Sequence, residues 1–96
     1  MKVIFTRKAR QDLVDIARHL VKHNPSRARS YMEELRTACI EIGEMPNAFE
    51  RLEKTGITEI RRRTFQPYLI FYRLREDEVQ LVRVLHGARN YLKILG

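Results

Sequence analysis

Apolar residues recur with a helical period over two long stretches and with a strand-like pattern over several short ones. Lys2 to Phe5 is a β-branched and aromatic run closed by Thr6, a good helix N-cap, so a first strand should lead straight into a helix. Ala9, Leu13, Ile16, Ala17 and Leu20 fall at i, i+4, i+7, i+8 and i+11, the spacing of one buried helical stripe. Lys22 and His23 put basic groups where the C-terminal dipole favours them, and the predicted helix runs from about Arg7 to His23. Asn24-Pro25 both stops that helix and suits the start of another, with Asn as N-cap and Pro at the first helical position. Ala28, Tyr31, Met32, Leu35, Ala38, Cys39 and Ile42 carry the second helix to about Ile42, with Gly43 near its end and Pro46 beyond. The two helices should form an antiparallel hairpin.

From Gly43 to Gly56 there is no sustained period, and the segment is expected to be loop. Thr58 to Phe65, Pro67 to Leu74 and Val79 to Leu85 read as three strands of an antiparallel sheet, the last two joined by the charged turn Arg75-Glu76-Asp77-Glu78. Strict alternation would put Val82 and Val84 on one face of the last strand, and Leu81, Arg83 and Leu85 on the other. Ala88 to Leu95 is too short to hold as a lone helix in water, so it must dock on the sheet. The order β-α-α-β-β-β-α defines an α+β fold, an N-terminal helical hairpin packed on a small, mainly antiparallel sheet.

Composition narrows this further. A length of 96 residues allows one domain, expected to span 1–96, and leaves little room for a deep enclosed active site. Hydrophobic residues at 44% beside charged ones at 32% are too apolar for a disordered chain. No apolar run approaches the ~20 residues of a membrane span, and the N-terminal MKVIFTRKARQ lacks a signal-peptide core, so the cytoplasm is the expected location. One cysteine cannot form an internal bridge, and His19, His23 and His86 do not make a zinc set with it, so neither metal nor cofactor is expected. Cys39 lies on the apolar stripe of the second helix and is expected to be a buried, inert thiol.

The net charge of +7 favours a polyanionic or acidic partner, and its distribution is uneven. Residues 1–32 carry eight Lys/Arg against two Asp/Glu, residues 33–60 three against seven, and residues 61–96 eight against three. Nucleotide-binding and metallohydrolase motifs are missing: there is no P-loop, GxGxxG, HExxH, Cys pair or GxSxG. What remains is the basic strand Arg61-Arg62-Arg63, Arg83 on a neighbouring strand, and the segment from His86 to Tyr91. One chemistry open to that set is metal-free RNA cleavage, with His86 or Glu59 as base, Tyr91 or His86 as acid, and Arg61, Arg63 and Arg83 clamping the phosphorane charge. The alternative is a solvated or partner-pairing arginine face, with His86 hydrogen-bonded across a strand-to-helix junction.

Three stretches carry a family resemblance: Arg10-Gln11-Asp12-Leu13-Val14-Asp15-Ile16, Tyr68-Leu69-Ile70-Phe71-Tyr72-Arg73, and Val82-Arg83-Val84-Leu85-His86-Gly87-Ala88-Arg89-Asn90. Together they resemble the ParE/RelE toxin superfamily, and specifically its ParE-like branch, over nearly the whole chain. The resemblance implies a toxin of a bacterial type II toxin–antitoxin system, causing growth arrest and neutralised by a cognate antitoxin. RelE-like members cleave mRNA in the ribosomal A site, using lysine, arginine and tyrosine or glutamate and histidine, whereas ParE-like members poison DNA gyrase. Here the sheet keeps Arg61, Arg63 and Arg83 with no lysine among them, and ten residues follow His86. Gyrase inhibition is therefore expected over ribosome-dependent cleavage, and over a basic nucleic-acid-binding module without toxicity.

A gyrase poison works through a binding surface. Arg83, His86, Arg89 and Tyr91 are the candidates, because they combine charge with an aromatic ring; the Asn47 to Gly56 loop competes with them. For the antitoxin, Val14 and Val21 lie seven residues apart on a flank of the first helix's stripe, and Ile40 stands outside the stripe of the second. An acidic amphipathic segment is expected to pack on Val14, Val21 or Ile40, flanked by Arg10, Arg18 or Arg29.

Overall fold

A computed structural model of the chain describes residues 1–52 and 59–95. Strand β1 (Lys2–Phe5) is followed by helices α1 (Arg7–His23) and α2 (Pro25–Glu41), and a 3₁₀ turn over Ile42–Glu44 continues α2. Strands β2 (Glu50–Arg51), β3 (Ile60–Phe65), β4 (Tyr68–Arg75) and β5 (Glu78–His86) then lead into the short helix α3 (Tyr91–Leu95). The α+β class and the helical hairpin match the sequence reading. The predicted end of the loop at Gly56 and start of a strand at Thr58 lie outside the described residues.

Among the described residues the sheet has five strands, in the order β1-β5-β4-β3-β2. All neighbours run antiparallel except β1, which lies parallel to β5 with Lys2 opposite Glu78 and Phe5 opposite Leu81. Thr6 fixes the corner between sheet and helix. Its hydroxyl accepts from the Ala9 amide at 3.3 Å as N-cap of α1 and donates to the Leu81 carbonyl at 2.7 Å. At the other end of α1, Asn24 serves as C-cap and as N-cap of α2, through its backbone and without a side-chain cap bond, and Pro25 opens α2. The hairpin between β4 and β5 turns through Glu76 and Asp77 at φ of 48° and 42°, the paired positive values of a tight two-residue hairpin turn.

Two cores result. The helical stripe of Ala9 and Ile16 on α1, with Leu35, Ala38 and Cys39 on α2, packs on Tyr68, Ile70, Tyr72, Leu81 and Val84 of the sheet. On the other face Leu52, Ile60, Phe71 and Leu85 form a smaller cluster, against which Tyr91, Ile94 and Leu95 of α3 are packed. The terminal helix thus docks as expected, starting at Tyr91 instead of Ala88 because residues from His86 onward first turn: the Arg89 amide donates to the His86 carbonyl at 3.0 Å.

Three expectations are corrected. The sheet is not three-stranded, since β1 joins one edge and the two-residue β2, within the predicted loop, pairs Glu50 with Arg62 and Arg51 with Arg61 at the other. The second helix ends in α-geometry at Glu41, with Ile42 opening the 3₁₀ turn. The faces of β5 also differ. Phe71 pairs with Arg83 but Tyr72 with Leu81, so Val82 is an extra residue in a β-bulge. The bulge breaks alternation and sends Leu81 and Val84 into the helix-facing core, with Val82 and Leu85 on the other side.

Candidate functional site

Arg83, next to the bulge, reaches across to α1. Its Nε and Nη2 donate to the two carboxylate oxygens of Asp12 at 2.8 Å each, and the Val84 amide donates to Asp12 Oδ2 at 2.9 Å. Asp12 is 7% exposed and occupies a position on the buried stripe of α1, so three donors satisfy a carboxylate that would otherwise be buried at high cost. Hydrogen bonding to Asp12 drives the Arg83 pKa further above its already high value. The guanidinium is a tie between helix and sheet.

The arginines of β3 are similarly engaged. Arg61 Nη1 donates to the Phe49 carbonyl at 2.8 Å and to the Asn47 carbonyl at 3.3 Å. Arg63 Nη1 donates to the Ala38 carbonyl at 2.7 Å and to Glu41 at 3.2 Å, and its guanidinium lies over the Phe49 ring. It thereby supplies the cation that the last turn of α2 lacks in its own sequence. Arg62, one residue along the strand and so directed to the opposite face, donates to the Tyr91 hydroxyl at 2.9 Å and to Glu50 at 2.6 Å. Tyr91 also stacks on Phe71 with ring centroids 5.2 Å apart.

His86 and Arg89 are exposed. His86 Nδ1 accepts from the Ala88 amide at 3.0 Å, which leaves the proton of the neutral ring on Nε2, and its ring stands edge-on to Tyr68 at 5.5 Å. Both line a cleft of about 150 Å³ between α1 and the end of β5, together with Asp15, His19 and Tyr68. The residues proposed for phosphate chemistry are therefore divided: Arg61, Arg63 and Arg83 are bonded on the helix side, Tyr91 is held on the other face, and His86 lies at the strand end. Glu59 is exposed beside Arg61 in a separate pocket.

The outward face of α1 is of another character. Val14 is 43% and Val21 60% exposed, and an open depression of about 710 Å³ is lined by these two with Ala17, Arg18, His19, Lys22 and His23. Arg10 is exposed one turn before Val14. His19 and His23, also one turn apart, have ring centroids separated by 4.3 Å. Ile40, 49% exposed, belongs to a different groove of about 530 Å³ beside Met1, Val3, Phe5 and Arg36. Arg29 is exposed on α2 and pairs with Glu33 at 3.5 Å. The predicted antitoxin set is thus split: Val14, Arg18 and Val21 share one surface and Ile40 another.

Sequence reasoning missed Asp12 as the partner of Arg83, although an acid at a stripe position one turn after Ala9 and before Ile16 is itself a signal of a buried partner. It also missed the pairing of Arg62 with Tyr91 and the apposition of His19 with Tyr68 and His86. No periodicity reports those, because they depend on which sheet face meets which helix.

The fold and these placements define a small basic α+β domain whose arginines tie its elements together and whose open apolar depressions lie along α1 and beside Ile40 of α2. A family model described as ParE toxin of type II toxin-antitoxin system, parDE, matches residues 3–91, and the chain belongs to that family. Among solved structures, one described as the chromosomal ParDE TA system from P. aeruginosa matches with a TM-score of 0.78, covering 90% of this chain and 95% of the other at 22% identity. That likeness bears on the fold. No curated protein matches the chain. Among the described residues, no helix is long and apolar enough to cross a membrane.

Proposed function

We propose that this ParE-family toxin acts in the cytoplasm by binding DNA gyrase and blocking replication, and not as a ribosome-dependent ribonuclease. The observation that carries this reading is the engagement of the arginines. A phosphorane clamp needs guanidinium donors aimed at one reacting phosphate, preorganised and unpaired. Arg83 is instead bidentate to Asp12, and Arg61 and Arg63 donate to main-chain carbonyls. The target surface centres on exposed His86 and Arg89 beside Tyr68, while Arg83 and Tyr91 hold the framework beneath it.

A cognate antitoxin would neutralise the toxin through an acidic amphipathic segment lying along α1. Val14 and Val21 supply apolar contact, and exposed Arg7, Lys8, Arg10, Arg18 and Lys22 supply complementary charge, since Asp12 is buried and only Asp15 opposes them on the outer surface of α1. A supercoiling assay with purified gyrase, run beside a translation assay, tests the target: loss of supercoiling with translation intact is expected, and the reverse pattern would overturn it in favour of the ribosome.

A further inference from the structure

His19 and His23 stand one helical turn apart on α1, a spacing that places side chains 5–6 Å apart at Cβ and on one face. Both are exposed, and their rings are already brought together, with centroids at 4.3 Å and an interplanar angle of 38°. A pair of histidines at i and i+4 on one helix face is the arrangement by which helical zinc sites present two imidazole nitrogens to one metal. Two nitrogens on one tetrahedral zinc, with bonds of about 2.0–2.1 Å, stand about 3.3 Å apart, a separation of the same order as that between these two rings.

We propose that His19 and His23 form a two-imidazole chelate for a borderline divalent cation of the Zn²⁺, Cu²⁺ and Ni²⁺ class. Imidazole nitrogen suits these ions and discriminates against Mg²⁺ and Ca²⁺, which take oxygen ligands. The chain's other soft donors are engaged or withdrawn: His86 Nδ1 accepts from Ala88, and Cys39 is buried with its thiol pushed up to about 12 by burial. Among the described residues no three His, Cys, Asp or Glu groups gather, and Asp15, one turn before His19, accepts instead from Gln11 at 2.9 Å. The chain therefore supplies two ligands, and water completes the coordination. The residue directly after His19, where a helical zinc hydrolase carries its general-base glutamate, is Leu20, and Asp15 is held by Gln11, so the site binds a cation without hydrolytic chemistry. It requires only α1 and is independent of the toxin's target.

The test is titration of the isolated chain with Zn²⁺ alone at about pH 8, where free imidazole is neutral, by calorimetry and by NMR of the histidine ring signals. One equivalent is expected to bind, shifting the rings of His19 and His23 and leaving that of His86 unmoved. His19→Ala and His23→Ala should each lower affinity at least about tenfold, because one ligand then loses the effective concentration supplied by the other. His86→Ala should leave it unchanged. Absence of saturable binding, a variant that loses sites without losing affinity, or dependence on His86 would each overturn the proposal. All three positions are exposed, so the variants keep the fold, and circular dichroism verifies it.

Discussion

Asp12→Ala is the substitution that most directly probes how the fold is held. It removes the carboxylate that accepts from both Arg83 nitrogens and from the Val84 amide. Removing one member of a buried ion pair costs about 3–5 kcal/mol, since the other charge is left unpaired. The Arg83 side chain keeps 18% exposure, and water reaching it offsets part of that; the orphaned Val84 amide adds to it. We expect a net loss of about 3 kcal/mol, toward the lower end of that range. At about 0.05–0.15 kcal/mol per residue a chain of this length holds about 5–14 kcal/mol in all, so the variant should fold but with a small margin. Thermally, about 4–8 °C per kcal/mol makes the drop about 12–24 °C. Urea unfolding followed by circular dichroism measures it, alongside Arg83→Met and the double variant Asp12→Ala with Arg83→Met. Replacing both charges by apolar groups should cost clearly less than the sum of the single changes. A loss under about 0.5 kcal/mol for Asp12→Ala, within the scatter of ordinary surface changes, or simple additivity in the cycle, would refute the buried-tie reasoning.

Other outcomes follow from the same geometry. Burial pushes the Cys39 thiol from 9.0 to about 12 and the Tyr31 hydroxyl from 10.0 to about 12, so between those values the folded chain retains protons that the unfolded chain has lost. Stability should therefore be fully present below about pH 9 and fall as pH rises toward 12, with Cys39→Ala removing the earlier part of the decline; a flat profile by urea unfolding would contradict this. The same thiol should resist alkylation near neutral pH until the chain is unfolded. Replacing Val14 and Val21 together by Asp should leave the exposed helix folded and weaken antitoxin affinity by several kcal/mol, about the cost of burying unpaired charge; unchanged affinity in calorimetry would move the antitoxin to the sheet or the C-terminal segment. His86→Ala should lower Tm by a few degrees, about that of one lost local hydrogen bond, and leave partial toxicity, whereas a fully stable and wholly inactive variant that still binds its target with undiminished affinity would point to a catalytic role.

The parts of the fold legible in the sequence are those written in local periodicity. The stripe from Ala9 to Leu20, the Asn24-Pro25 junction and the β4–β5 hairpin depend on residues a few positions apart, and each was readable. The two-residue β2 was not, because Glu50 and Arg51 acquire strand geometry only by pairing with Arg62 and Arg61. Nor was the bulge at Val82: alternation is a rule about an undisturbed ladder, and here the ladder yields where Arg83 reaches Asp12 across 71 positions. The exposed surfaces fared in the same way. Val14 and Val21 stand off the helical stripe and are exposed, and Ile40, outside the stripe of its own helix, is exposed too but faces a groove that only tertiary packing separates from theirs. Arg83 and Tyr91 looked like reagents because residue type reports chemical capacity; whether that capacity is engaged depends on Asp12 and Arg62, which the folded chain brings to them.

The central claim, that the toxin acts by holding gyrase and not by cutting RNA, meets its most direct test in cells expressing the chain without an antitoxin. Two readouts from the same culture decide it: DNA-damage induction, and primer extension on abundant mRNAs. The account predicts damage induction with mRNA intact at every codon position. Codon-positioned mRNA cuts with undamaged DNA would contradict it.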